Sequence, residues 1–223
     1  MSRAAIDVDS AAQSPAVAPA LLGDIRFRAL LGPEDWAALP EPVRRRFSKR
    51  LGAGATAVYI GRVTQVSISR LGFLLAQVLR IIGAPLPLSR DIGTASVVTV
   101  TEDGQTQGQN WTRLYARANG FPQVIQSEKR FSGPTGLEEH VGYGIAMSLS
   151  VHVEAGALVF RAKDYLICMF GRRVVLPGWL TPGNLTVRHA ATTETAFLFT
   201  LDLRHPVFGC LVHQEALFES EVL

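Results

Sequence analysis

From Ala55 to the end of the chain, apolar and polar residues alternate with period two in a succession of short segments. ATAVYIGRVTQVSISR, TASVVTVTED, QNWTRLYAR and QVIQSEKRFS come first; after them GIAMSLSVHVEAG, ALVFRAKDYLICMF, LTVRHAATTE, AFLFTLDLRHP and GCLVHQEALFES repeat the pattern. Such segments are rich in β-branched and aromatic residues and read as half-buried strands. Two more short runs, GLEEHVG and RRVVLPGWL, fall between them. The joints carry turn signals such as Glu102-Asp103-Gly104 and Glu154-Ala155-Gly156, which suit antiparallel hairpins. With no helical segments between these strands, a parallel α/β sheet is excluded.

The period changes in two places. Between residues 21 and 52, helical spacing places Phe27, Leu30 and Leu31 on one stripe, and Val43, Phe47 and Leu51 on another. Gly32-Pro33, Pro40 and Pro42 punctuate this stretch into short helices. Leu71 to Ile82 is the most apolar helix, closed by Gly83 and Pro85. Residues 1–20 show no periodicity and read as a disordered leader, which leaves 21–223 as a single domain.

These elements predict an α+β fold, predominantly antiparallel β. About nine or ten strands cannot stay flat. They should form a strongly curved sheet or incomplete barrel, with N-terminal helices and with the apolar helix packed at its mouth or on its concave side.

Composition sharpens this picture. The 223 residues are 48% hydrophobic and 18% charged, with a formal charge of +3, too mild an excess to imply nucleic acid without a clustered patch. The longest apolar run, Leu71–Ile82, falls short of the roughly 20 residues of a membrane span. With no secretory signal in the opening residues, a cytoplasmic protein is expected. Cys168 and Cys210 sit in apolar runs and read as reduced thiols. The five histidines lack metal-ligand spacing, and no P-loop or nucleophile elbow is present, so neither metal nor cofactor is expected.

Three groups stand out as candidate chemistry. Trp111, Arg113 and Tyr115 share one face of a strand. An arginine held between aromatic rings inside an apolar cavity is a preorganised fork for a carboxylate or phosphate. Glu128, on the neighbouring strand, is its expected protein partner. His213 and Glu215 share a face near the C-terminus and form a candidate acid–base pair. Arg44, Arg45, Arg46, Lys49 and Arg50 make a basic helical face suited to an anionic membrane or an acidic partner. The expected function is binding of a hydrophobic small molecule, of acyl or isoprenoid type, in the barrel cavity. The alternatives are a cofactor-independent isomerase, cyclase or hydrolase, or an accessory domain of an oxidoreductase.

The residues FRALLG (27–32), Trp36 with Leu39–Arg44, Trp111–Tyr115, LPGWLTPG (176–183), Glu194 and the His205–Phe218 segment together resemble a bacterial family known as domain of unknown function 4166. The likeness runs from about residue 24 to the end. It implies an oxidoreductase partner, since similar chains are sometimes joined to nucleotide-binding oxidoreductase domains. Where such relatives often carry a histidine after the Val-Arg step, this chain has Phe47 and Ser48.

Overall fold

The computed structural model describes residues 22–52, 55–83 and 85–220; the expected leader lies outside them. In chain order the strands are β1 (Leu22–Gly23), β2 (Lys49–Arg50), β3 (Thr56–Ile68), β4 (Ala95–Glu102), β5 (Gln109–Tyr115), β6 (Gln123–Arg130) and β7 (Glu138–Gly142). They continue with β8 (Ile145–Glu154), β9 (Ala157–Met169), β10 (Arg172–Val175), β11 (Asn184–Ala191), β12 (Ala196–His205) and β13 (Gly209–Ser220). The helices are α1 (Arg26–Leu31), α2 (Pro33–Ala38), α3 (Glu41–Phe47) and α4 (Arg70–Val78), the last continued by a 3-10 turn, Leu79–Ile82.

The expected curved antiparallel sheet is present, and its two ends join. The order β9-β11-β12-β13-β3-β4-β5-β6-β7-β8 closes through a β8–β9 ladder into a 10-stranded barrel, with β10 as an extra strand on β9. Closure removes the edges that an open sheet of this size would expose. The bending is local. Register shifts interrupt the ladders at Leu203/Arg204, Glu215/Ala216, His140/Gly142 and Ser148/Leu149, and such bulges bend and twist a strand. At Gly61 the backbones of β3 and β13 come close, since a Cβ there would sit 2.1 Å from the Leu217 carbonyl oxygen.

Alternation decides which residues face in. Val98, Val100, Trp111, Ile125, Phe160, Phe197, Phe199, Val212 and Phe218 are buried in the interior, while Arg161, Lys163, Arg204 and Glu219 lie on the outside. A transmembrane barrel has the reverse arrangement, with an apolar outer band. No helix among the described residues is long and apolar enough to cross a membrane.

The two barrel ends are closed differently. Helices α1–α3 plug one end, where Phe27, Trp36, Val43 and Phe47 join the core and Phe27 meets Phe47 edge-on at 5.1 Å. Across the other end lies α4, capped at its start by the Ser69 hydroxyl, which accepts from the Gly72 amide at 3.0 Å. Gly72 lets α4 touch β13, because a Cβ there would stand 2.0 Å from the Leu211 carbonyl oxygen.

One seam in the wall is weak. β6 and β7 pair over only Glu128–Arg130 and Glu138–His140 and then part. The segment after α4 fills the gap: Gln123 Nε2 donates to the Leu86 carbonyl (2.8 Å), and the Leu88 amide donates back to Gln123 Oε1 (2.9 Å).

Candidate functional site

Under α4 the barrel holds a cavity of about 300 Å³. Leu75, Leu79 and Leu180 line its mouth side, and Ile125, Val141, Met147, Val187 and Leu201 its walls. Arg113, Ser127 and Glu139 bring polarity to this lining. Arg113 and Phe199 also border the small space beneath, formed with Trp111, His189 and Phe197, so they mark the cavity floor.

The sequence placed Trp111, Arg113 and Tyr115 on one face, and that face points inward. Their roles diverge from there. Trp111 lies below the floor, its Nε1 donating to Gln109 Oε1 at a long 3.4 Å. Tyr115 packs with Val63 and Ile125 away from the cavity, its ionisation suppressed by burial. Only Arg113 of the three reaches the cavity lining.

The expected Arg113–Glu128 pair does not form. Along β6, Gln123, Ile125, Ser127 and Lys129 face inward, which turns Glu128 to the outer wall. There it accepts from Arg130 (2.6 Å) and from the Thr106 hydroxyl (2.7 Å), beside His140 in an external groove. Arg113 instead uses one terminal nitrogen, Nη2, to reach Ser127 Oγ and Glu139 Oε1, both at 3.3 Å. Its Nε and Nη1 meet no protein acceptor among the described residues.

Glu139 is shared, since Lys129 Nζ stands 3.2 Å from the same oxygen. Burial alone would raise the Glu139 carboxyl, but the Lys129 and Arg113 cations outweigh it and bring its pKa down to about 2. Lys129, buried over the rings of Trp111 (4.9 Å) and Phe160 (5.6 Å), is lowered by desolvation despite Glu139. One carboxylate therefore answers two cations. A third cation, Arg46 of α3, points inward over the Phe197 ring at 3.7 Å, and burial lowers it to about 10. The interior around the floor carries a positive excess.

Next to it, His189 is caged by Phe47, Trp111, Phe160, Phe197 and Phe199, with ring centroids 5.2–6.0 Å away. Burial, then Arg46, Lys129 and Arg113, hold its pKa well below the ordinary value, so the ring is neutral. Its buried Nδ1 has no hydrogen-bond partner among the described residues.

Two other expectations are corrected. His213 and Glu215 flank the inward Val212, Gln214 and Ala216 and therefore face outward; His213 Nδ1 meets Asp202 Oδ1 at 2.9 Å on the outer wall. The pair therefore does not line the barrel cavity. The basic run is not an open face either: Arg45 pairs with Glu41 and Glu194, Arg46 turns into the barrel, and Arg50 bonds Glu102 at 3.1 Å. Lys49 and Arg44 are partly buried beside them.

Sequence reading passed over Lys129, Glu139 and His189. Lys129 was visible in principle, because Ile125, Ser127 and Lys129 share a parity. The adjacent Glu138-Glu139 pair in a five-residue strand gives no such cue. Among the described residues no group of three His, Cys, Asp or Glu could hold a metal ion.

The sequence model of one family, described as domain of unknown function (DUF4166), matches residues 39–218. No curated protein and no solved structure matches the chain.

Proposed function

The chain belongs to the domain of unknown function (DUF4166) family, and on that footing we propose that it binds a small amphipathic anion, its apolar body in the barrel cavity and its acidic head on Arg113. The observation that carries this reading is the shared carboxylate: Glu139 serves both Arg113 and Lys129, and among the described residues Arg113 bonds through Nη2 alone. The remaining guanidinium nitrogens keep some exposed surface at the cavity, where an anion can complete their shell with charge-assisted hydrogen bonds. The volume matches the small end of ligand sites, roughly 300–1,000 Å³, and the apolar walls suit an acyl or isoprenoid-like body.

Decanoate and decanol, titrated calorimetrically, test the reading. Decanoate should bind and decanol bind much more weakly, because only the acid engages the fork. Arg113→Met should weaken decanoate by about tenfold to a hundredfold, the worth of a charge-assisted hydrogen bond, and leave decanol unchanged. Equal affinity for acid and alcohol would remove Arg113 from the reading. Absence of binding by either would remove the cavity too.

A further inference from the structure

The hairpins at the two barrel ends differ in kind. At the plugged end the tips read Asp-Gly-Gln-Thr-Gln (103–107), Ser-Gly-Pro-Thr-Gly (132–136), Ala-Gly (155–156) and Thr-Thr-Glu-Thr (192–195). At the α4 end every hairpin carries a large apolar residue in solvent: Phe121 between β5 and β6, Tyr143 between β7 and β8, Phe170 between β9 and β10, Val207 and Phe208 between β12 and β13. Trp179, in the turn before β11, joins them. Phe121 and Phe170 are 92% and 95% exposed, so they pack on little among the described residues. The outer face of α4 adds Leu74, and the 3-10 turn that continues it adds Ile81.

Two of these residues stand where the backbone disfavours them. Tyr143 and Phe170 have φ of 50° and 52°, each followed by a glycine that also has positive φ, in two-residue hairpins. Such turns favour Asn-Gly, and an aromatic side chain at the first position gives up stability. Ala155-Gly156 makes the same turn at the plugged end, so what marks the α4 end is the large exposed aromatic placed in that turn and not the turn itself.

Charge follows the same division. The segments forming this end (69–94, 115–123, 141–145, 168–183 and 203–210) contain seven arginines and one acidic residue, Asp91, although the whole chain has a net charge of only +3. Arg173 and Arg204 meet carboxylates, Glu138 and Asp202. Arg70, Arg80, Arg90, Arg117 and Arg172 have no acidic partner among the described residues.

We propose that this end of the barrel docks on an anionic phospholipid bilayer, with the apolar tips in the headgroup–acyl boundary, the arginines at the lipid phosphates and the cavity mouth facing the membrane. Apolar tips set among cations are the composition such an interface binds. A second copy of the chain fits poorly, since apposing two such ends sets arginines against arginines. The surface continues into the cavity mouth at Leu180 and α4. The inference stands on the hairpin tips and not on the ligand proposed for the cavity.

Co-sedimentation of the full chain with vesicles provides the test. Vesicles of phosphatidylcholine and phosphatidylserine should retain the protein at low salt, and phosphatidylcholine alone should retain far less. Added salt should release it. Trp36 and Trp111 are buried, so a blue shift of tryptophan emission on binding reports Trp179. The double variant Tyr143→Asn, Phe170→Asn should raise Tm, because asparagine tolerates positive φ, and still lower vesicle partition by about tenfold or more. Lost binding then cannot be blamed on misfolding. Arg45→Gln, at the plugged end, should bind as the parent does, and Arg113→Met should keep vesicle binding whatever it does to decanoate. The proposal is overturned by no retention on anionic vesicles at low salt or by unchanged partition of the double variant. Self-association that shields Trp179 without lipid would overturn it as well.

Discussion

His189 shows how a single residue ties the interior to pH. Its ring is kept neutral by burial and by three nearby cations, whereas in the unfolded chain it protonates near 6.5. Below that pH the unfolded state takes up a proton that the folded state refuses, so stability should fall as pH falls. The slope approaches about 1.4 kcal/mol per pH unit for one such group. Thermal melts from pH 7.5 to 5 of the parent and of His189→Phe would measure it: the variant should lose that share of the slope, and parallel profiles would show that His189 contributes nothing. Glu139 acts lower on the scale. Its depressed pKa supplies stability that is complete above the ordinary carboxylate range and is lost as pH falls toward 2. Period-two parity grouped Trp111, Arg113 and Tyr115 correctly but carries no sign. It could not show that the other face of β6, bearing Lys129, is the one sharing their interior. Glu128 and His213 were misplaced for that reason.

Among the elements, α4 was legible because a helix this apolar must cover something. Its place at the barrel mouth was legible too, but its close contact with β13 was not, because Gly72 looks like an ordinary defect in a helix. Alanine there would gain about 1 kcal/mol of helix propensity. Against that, its Cβ would meet a backbone oxygen at 2.0 Å, which cannot rotate away as a side chain would. Overpacking of this kind costs typically 1–3 kcal/mol, and the clash should win. Gly72→Ala should lower Tm by several degrees, at about 2–4 °C per kcal/mol for this chain length, and lift α4 enough to raise binding of an apolar dye. A higher Tm would mean that α4 is not held against β13. The basic run on α3 misled for a related reason: counting charges along a helix ignores neighbours such as Glu194 and Glu102, which approach from distant strands.

At the scale of the whole molecule, the strands and their antiparallel sense were readable, because each hairpin is local. Closure was not. It depends on β3 pairing with β13, from opposite ends of the domain, and on β9 turning between β8 and β11. The ladder is weakest where β6 leaves β7 after three residue pairs. Hydrogen exchange should therefore find the amides near Val124 and Val141 opening far more often than those of β12 and β13; uniform protection around the wall would contradict this. For the amphipathic anion proposed above, the two unlike ends would also impose a direction of travel. With helices stoppering one end and the guanidinium at the bottom of the well, such a guest would enter polar group leading and depart with its hydrocarbon in front. The part to emerge first would be the part water rejects, so release would be uphill into solvent and downhill into oil. The barrel would act less as a store than as a one-ended dispenser.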